Sequence, residues 1–153
     1  MMSMTQSTDR FYWVVVADES NAIVYARDSK SGPLREVSTF ANDAARMKTS
    51  ELISDSGGRR FDSQGGGRHT MANEKVDAKK HAAQLFAKRI AGRLAKTVHD
   101  GSCRGIALVA APRFLGVLRD SLSVETSLKP YVTVDKAVVG KDTATIERLL
   151  TQA

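Results

Sequence analysis

A mixed α/β domain, with a five-stranded sheet and flanking helices in the order βββαβαβα, is the fold class this sequence predicts. Three observations carry that expectation. The first forty residues hold three short strand-like runs separated by tight turn signals. A long helical run from Val76 to Gly101 follows an aperiodic stretch. Beyond it, two more strand-like runs alternate with amphipathic helices, the pattern of strand–helix–strand units with parallel neighbours. With 153 residues, 42% of them hydrophobic, the chain has the length and apolar content of one domain with a proper core.

The elements follow in order. "FYWVVVAD" (11–18) is a continuous β-branched run, as expected of a strand buried on both faces. "NAIVYARD" (21–28) comes after only "ESN", so the two form a tight hairpin. "LREVSTF" (34–40) alternates apolar and polar residues and suits a more exposed strand of the same sheet. "DAARMKTSELISD" (43–55) has helical turns in it, with Met47, Leu52 and Ile53 as anchors. In the long helix Ala82, Phe86, Ile90, Leu94 and Val98 recur at i+4, Asp77 serves as the N-terminal cap and Gly101 as the stop. "GIALVAAP" (105–112) reads as a buried strand, "RFLGVLRDSLS" (113–123) as a helix, "PYVTVDKAVV" (130–139) as a strand, and "DTATIERLL" (142–150) as a helix capped by Asp142. Three sequential strands form an antiparallel meander and the rest add parallel neighbours. This is the element order of the ribonuclease H-like fold.

Charge and targeting signals narrow the partners. The net charge of +6 is concentrated: residues 46–119 hold 15 Lys/Arg against 6 Asp/Glu. Such an asymmetry points to an anionic partner, with nucleic acid first. The first ten residues, "MMSMTQSTDR", have no apolar h-region, and no run approaches the roughly 20 apolar residues of a membrane span. One cysteine excludes an intrachain disulfide. The expectation is a cytoplasmic protein without membrane insertion, with 1–10 a disordered tail and 11–153 a single domain.

Catalytic signatures are weak. A metal-dependent nuclease on this element order needs several converging carboxylates. Asp18 ends the first strand, but the fourth strand ends in "VAAPRF", and Asp18 equally fits the start of a turn. "GSCRG" (101–105) imitates a nucleophile elbow in the wrong order, because a helix precedes it and a strand follows, so Cys103 reads as a small residue entering the core. His69, His81 and His99 have no zinc spacing. No catalytic residue, metal or cofactor is expected.

The stretch "SDSGGRRFDSQGGGRHTM" (54–71) holds five glycines and three arginines. It lacks the Gly-Lys-Ser/Thr of a P-loop and the preceding strand of a dinucleotide fingerprint. Arg59, Arg60 and Arg68 are suited to pair bidentately with phosphates, and the amides of Gly65, Gly66 and Gly67 add donors without steric cost. A helix starting near residue 76 would aim its positive end at the same anion.

"ELISDSGGRRFDS", "GGGRH", "APRFLGVLRDSLS", "VGKDTATIERLL" and the opening "WVVVADESNAIVYARD" together resemble the bacterial host-attachment protein family, over about residues 12–150. Members are described as required for attachment to host cells. The family is similar in turn to the middle domain of the eukaryotic and archaeal class 1 peptide-release factor. That domain carries a Gly-Gly-Gln loop between its third strand and long helix. Here that place reads Gln64-Gly65-Gly66-Gly67-Arg68, with the glutamine ahead of the glycines. The resemblance therefore implies a loop that keeps glycine and positive charge but lacks the residue associated with peptidyl-tRNA hydrolysis. The functional expectation is a non-catalytic RNA-, tRNA- or ribosome-binding module using Arg59, Arg60, Arg68, His69, Lys75, Lys79 and Lys80 with the loop glycines. The alternative is a protein-interaction factor supporting attachment indirectly; a hydrolase comes third.

Overall fold

The computed structural model describes residues 10–46 and 67–153, with residues 45–46 and 67–73 described by their backbone alone. The described elements are β1 (Phe11–Ala17), β2 (Asn21–Arg27), β3 (Arg35–Ala41), α1 (Asp43–Arg46), α2 (Gly67–His99), β4 (Cys103–Ala110), α3 (Pro112–Thr126), β5 (Val132–Val134) and α4 (Thr143–Gln152). The sheet runs in the order β3-β2-β1-β4-β5. β1 pairs antiparallel with β2 and parallel with β4, so Trp13 lies between Ala26 and Ile106. The expected mixed five-stranded α/β architecture is observed.

Burial explains the strand order. β1 is central, and Val14, Val15, Val16 and Ala17 are fully buried, which is why this run has no polar alternation. Trp13, Val15 and Ala17 face the layer of α2 and α3, whereas Val14 and Val16 face the layer holding Ile146 of α4. β3 is one of the two edge strands, and most of its residues are exposed. In the larger layer Ala83, Phe86, Ala87, Ile90, Ala91 and Leu94 of α2 meet Phe114, Leu118 and Leu122 of α3. The rings of Phe86 and Phe114 lie 5.9 Å apart. Each large apolar side chain buried here stabilises the domain by about 1.5–3 kcal/mol.

β4 and α3 shift by one to three residues at their ends, and two boundaries differ from expectation by more. α2 begins at Gly67, not near Val76, so Asp77 lies inside the helix and does not cap it. No apolar period marks this start, and residues 74–77 and 79–81, where burial is described, are exposed. The Gly/Arg-rich stretch accordingly runs into the helix at 67–71, while 47–66, with Met47, Leu52 and Ile53, lies outside the described residues. At the far end Gly101 has a φ of +82°, and the stop falls where the sequence placed it. The second difference is β5, where only Val132–Val134 pair with β4. Asp135, Lys136 and Ala137 are exposed, and Val138 returns to the core beside Ile146.

Candidate basic cleft at the carboxyl ends of the parallel strands

β1 and β4 run parallel, and the chain leaves both at the same edge of the sheet. β1 leaves through Asp18, whose Oδ1 accepts from the N–H groups of Ser20 (2.8 Å) and Asn21 (2.7 Å). That carboxylate is thereby the hinge of the β1–β2 turn. β4 leaves through Ala111, whose N–H donates to the Ala17 carbonyl at 3.2 Å, and α3 begins at once with Pro112 in its first turn. Ligands of open α/β sheets bind in this position.

A cleft of about 430 Å³ opens there. Its walls are Glu19 and Ser20 of the β1–β2 turn, Val76, Lys79 and Lys80 of α2, and Arg113 at the start of α3. Among the described residues, three cations and one carboxylate thus line it. The N-cap residue of α3, Ala111, makes no side-chain cap bond, so the positive end of that helix adds to the field. The volume lies within the range of roughly 300–1,000 Å³ usual for ligand clefts.

Asn42 holds the two walls together. It is buried, and its amide nitrogen donates to the carbonyls of Glu19 (3.0 Å) and Ala82 (3.3 Å). Its backbone N–H donates to Ser20 (2.8 Å). The turn that carries Glu19 and Ser20 is therefore pinned to the helix that carries Lys79 and Lys80.

The expected contact residues divide into groups. Lys79 and Lys80 line the cleft, and Lys75 is exposed on α2 one turn before Lys79. Gly67, Arg68 and His69 belong to the first turn of α2 by their backbone, and their side chains lie outside the described part. Arg59, Arg60, Gly65 and Gly66 lie outside the described residues. No helix begins near residue 76 to support an anion, since α2 starts at Gly67; α3, which starts at Pro112, brings its N-terminus to the cleft through Arg113. Arg113 and Asn42 escaped the sequence reading. Arg113 had a signal in its place directly after a strand-ending Ala-Ala-Pro; Asn42 had none, since its role depends on the fold. Two other basic residues of α2, Arg89 and Arg93, are committed to packing. Arg89 donates to the Ala41 carbonyl (3.1 Å) and lies over Phe40 and Phe86, and Arg93 lies over Trp13.

Cys103 is half-buried against the core, and burial pushes its thiol pKa up, which disfavours the reactive thiolate. Among the described residues no group of three or more His, Cys, Asp or Glu is placed to hold a metal ion. Among them, too, no helix is long and apolar enough to cross a membrane. A family model described as "Protein required for attachment to host cells" matches residues 13–150. No curated protein matches the chain.

Proposed function

The chain belongs to the family of proteins required for attachment to host cells, and from that premise we propose that it serves attachment as a non-catalytic, cytoplasmic RNA- or ribosome-binding module. The observation that carries this reading is the cleft where Lys79, Lys80 and Arg113 converge beside an uncapped helix N-terminus. Three cations against Glu19 match a phosphate backbone, for which cationic contacts supply most of the affinity. The Gly/Arg-rich segment that precedes α2 in the chain, with Arg59, Arg60, Arg68 and His69, brings further positive charge in the sequence. The strand order β3-β2-β1-β4-β5 and the long basic helix after a glycine-rich segment agree with a ribonuclease H-like, release-factor-middle-domain-like architecture. A glutamine that precedes its glycines favours binding without peptidyl-tRNA hydrolysis.

The test is an electrophoretic mobility-shift titration of tRNA and ribosomal RNA with the full chain and with Lys79→Ala/Lys80→Ala/Arg113→Ala. Affinity for RNA that falls at least tenfold in the variant (about 1.4 kcal/mol) supports the proposal. RNA binding that is absent, or indifferent to the three substitutions, overturns it.

A second reading has its own observation. Leu85 and Val124 are exposed across a groove of about 400 Å³ between α2 and α3. Exposed apolar side chains facing one another suit a protein partner. A partner captured from lysate despite ribonuclease treatment, and lost in Leu85→Glu/Val124→Glu, would favour the protein-interaction role. Capture abolished by ribonuclease favours RNA.

A further inference from the structure

At the opposite end of the sheet, by the start of β1 and β4, a second cationic cluster on Tyr12 and Tyr131 lies near a buried arginine. Arg27 ends β2 on the face shared with Tyr25 and is 1% exposed. Its Nε donates to the Gly32 carbonyl at 2.8 Å, but its buried Nη1 has no hydrogen-bond partner. A buried guanidinium nitrogen without an acceptor is costly and calls for an explanation.

The surroundings are built to hold positive charge. Tyr12 and Tyr131 meet edge to face, 5.6 Å between ring centres, across Gly105. A Cβ at Gly105 would lie 3.1 Å from Tyr131 and 3.2 Å from Tyr12, so only glycine lets both rings close over β4. Lys30 lies over both rings, at 4.7 Å from Tyr131 and 5.8 Å from Tyr12. Arg104 lies 5.9 Å from the Tyr12 ring. It is the extra residue of a register shift, since Phe11 pairs with Cys103 and Tyr12 with Gly105. Bulges of this kind re-aim a side chain. Glu147 reaches the same loop from α4, but its carboxylate accepts from the Leu34 N–H at 2.9 Å.

We propose that Arg27, Lys30 and Arg104, with the two tyrosines, form a binding site for a small phosphate-type oxyanion. Arg27 holds it from below and the other two cations from the rim. Lys30 sits on an exposed turn. Two phenol groups at the rim supply further donors. The site does not depend on the RNA-binding proposal.

Isothermal titration calorimetry with inorganic phosphate tests it, using the full chain carrying Lys79→Ala/Lys80→Ala/Arg113→Ala so that the other cleft is silent. Saturable one-to-one binding that weakens about tenfold or more in Lys30→Ala and Arg104→Ala supports the site. Both residues are exposed, so these variants keep the fold and keep the test open even where Arg27→Met does not fold. Adenosine monophosphate is the second probe. Tighter binding than phosphate assigns the oxyanion to a nucleotide, and equal binding assigns it to the free anion. No binding of either at concentrations up to about 10 mM, or affinity unchanged in both rim variants, overturns the proposal and leaves Arg27 Nη1 to a trapped water.

Discussion

Replacing Asn42 tests whether the two walls of the basic cleft are pinned as described. The side-chain nitrogen reaches two carbonyl oxygens, at 3.0 and 3.3 Å, and carbonyls only accept, so the amide must donate to both. Asn42→Ala removes both bonds, each with a net value of roughly 0.5–1.5 kcal/mol, for a loss of about 2 kcal/mol. In a chain of this size that lowers Tm by roughly 4–8 °C. Asn42→Asp keeps the shape but sets a carboxylate oxygen against the same carbonyls. It should therefore cost more than alanine at neutral pH and recover part of the loss in acid, where the protonated carboxyl regains one donor. Thermal unfolding followed by circular dichroism reads both. The order is the decisive feature: an aspartate variant as stable as the alanine variant, or both within about 1 °C of the parent protein, would refute the bridging role.

Other perturbations have outcomes fixed by local geometry. Gly105→Ala drives a methyl group to 3.1–3.2 Å from Tyr131 and Tyr12, and should destabilise by about 1–3 kcal/mol in chemical denaturation. Asp142 caps α4, accepting from Thr145 N–H at 3.0 Å. Hydrogen bonds from the Thr145 side chain and then its backbone hold the Asp142 pKa below the ordinary 3.8. A depressed carboxyl pKa stabilises above its unfolded value, and that contribution disappears as pH falls through the folded value. The Tm gap between the parent protein and Asp142→Ala should thus stay constant at neutral to mildly acidic pH and close below about pH 4. Cys103, its thiol pKa raised by burial, should react with iodoacetamide at neutral pH more slowly than free cysteine and catch up once the protein is unfolded.

Much of the fold was legible because local signals and tertiary needs agree in it. The unbroken Val14–Val16 run marked the central strand, and the i+4 stripe from Ala82 to Leu94 marked the packed part of α2. Asp142 and Gly101 occupy the ends assigned to them. The signal failed where burial is absent. Residues 74–77 and 79–81 of the helix are exposed, so no apolar period betrays them, and the three consecutive glycines at 65–67 argue locally for a loop. β5 was overlong because Val138 and Val139 are apolar for the sake of the α4 layer and not for strand pairing. Lys79 and Lys80 were named from charge alone. Their companions Arg113 and Asn42, from distant parts of the chain, meet them only after β1 and β4 pair.

The salt dependence of RNA affinity addresses the central claim most directly. For single-stranded RNA each phosphate contact contributes a slope of about −0.7 in log K against log salt, so three contacts at Lys79, Lys80 and Arg113 contribute about −2. Fluorescence-anisotropy titrations of labelled RNA across a range of potassium chloride concentrations should give a steep slope for the parent protein. The slope should become shallower by about 2 in Lys79→Ala/Lys80→Ala/Arg113→Ala. An unchanged slope, or affinity too weak to titrate even at low salt, would contradict the account.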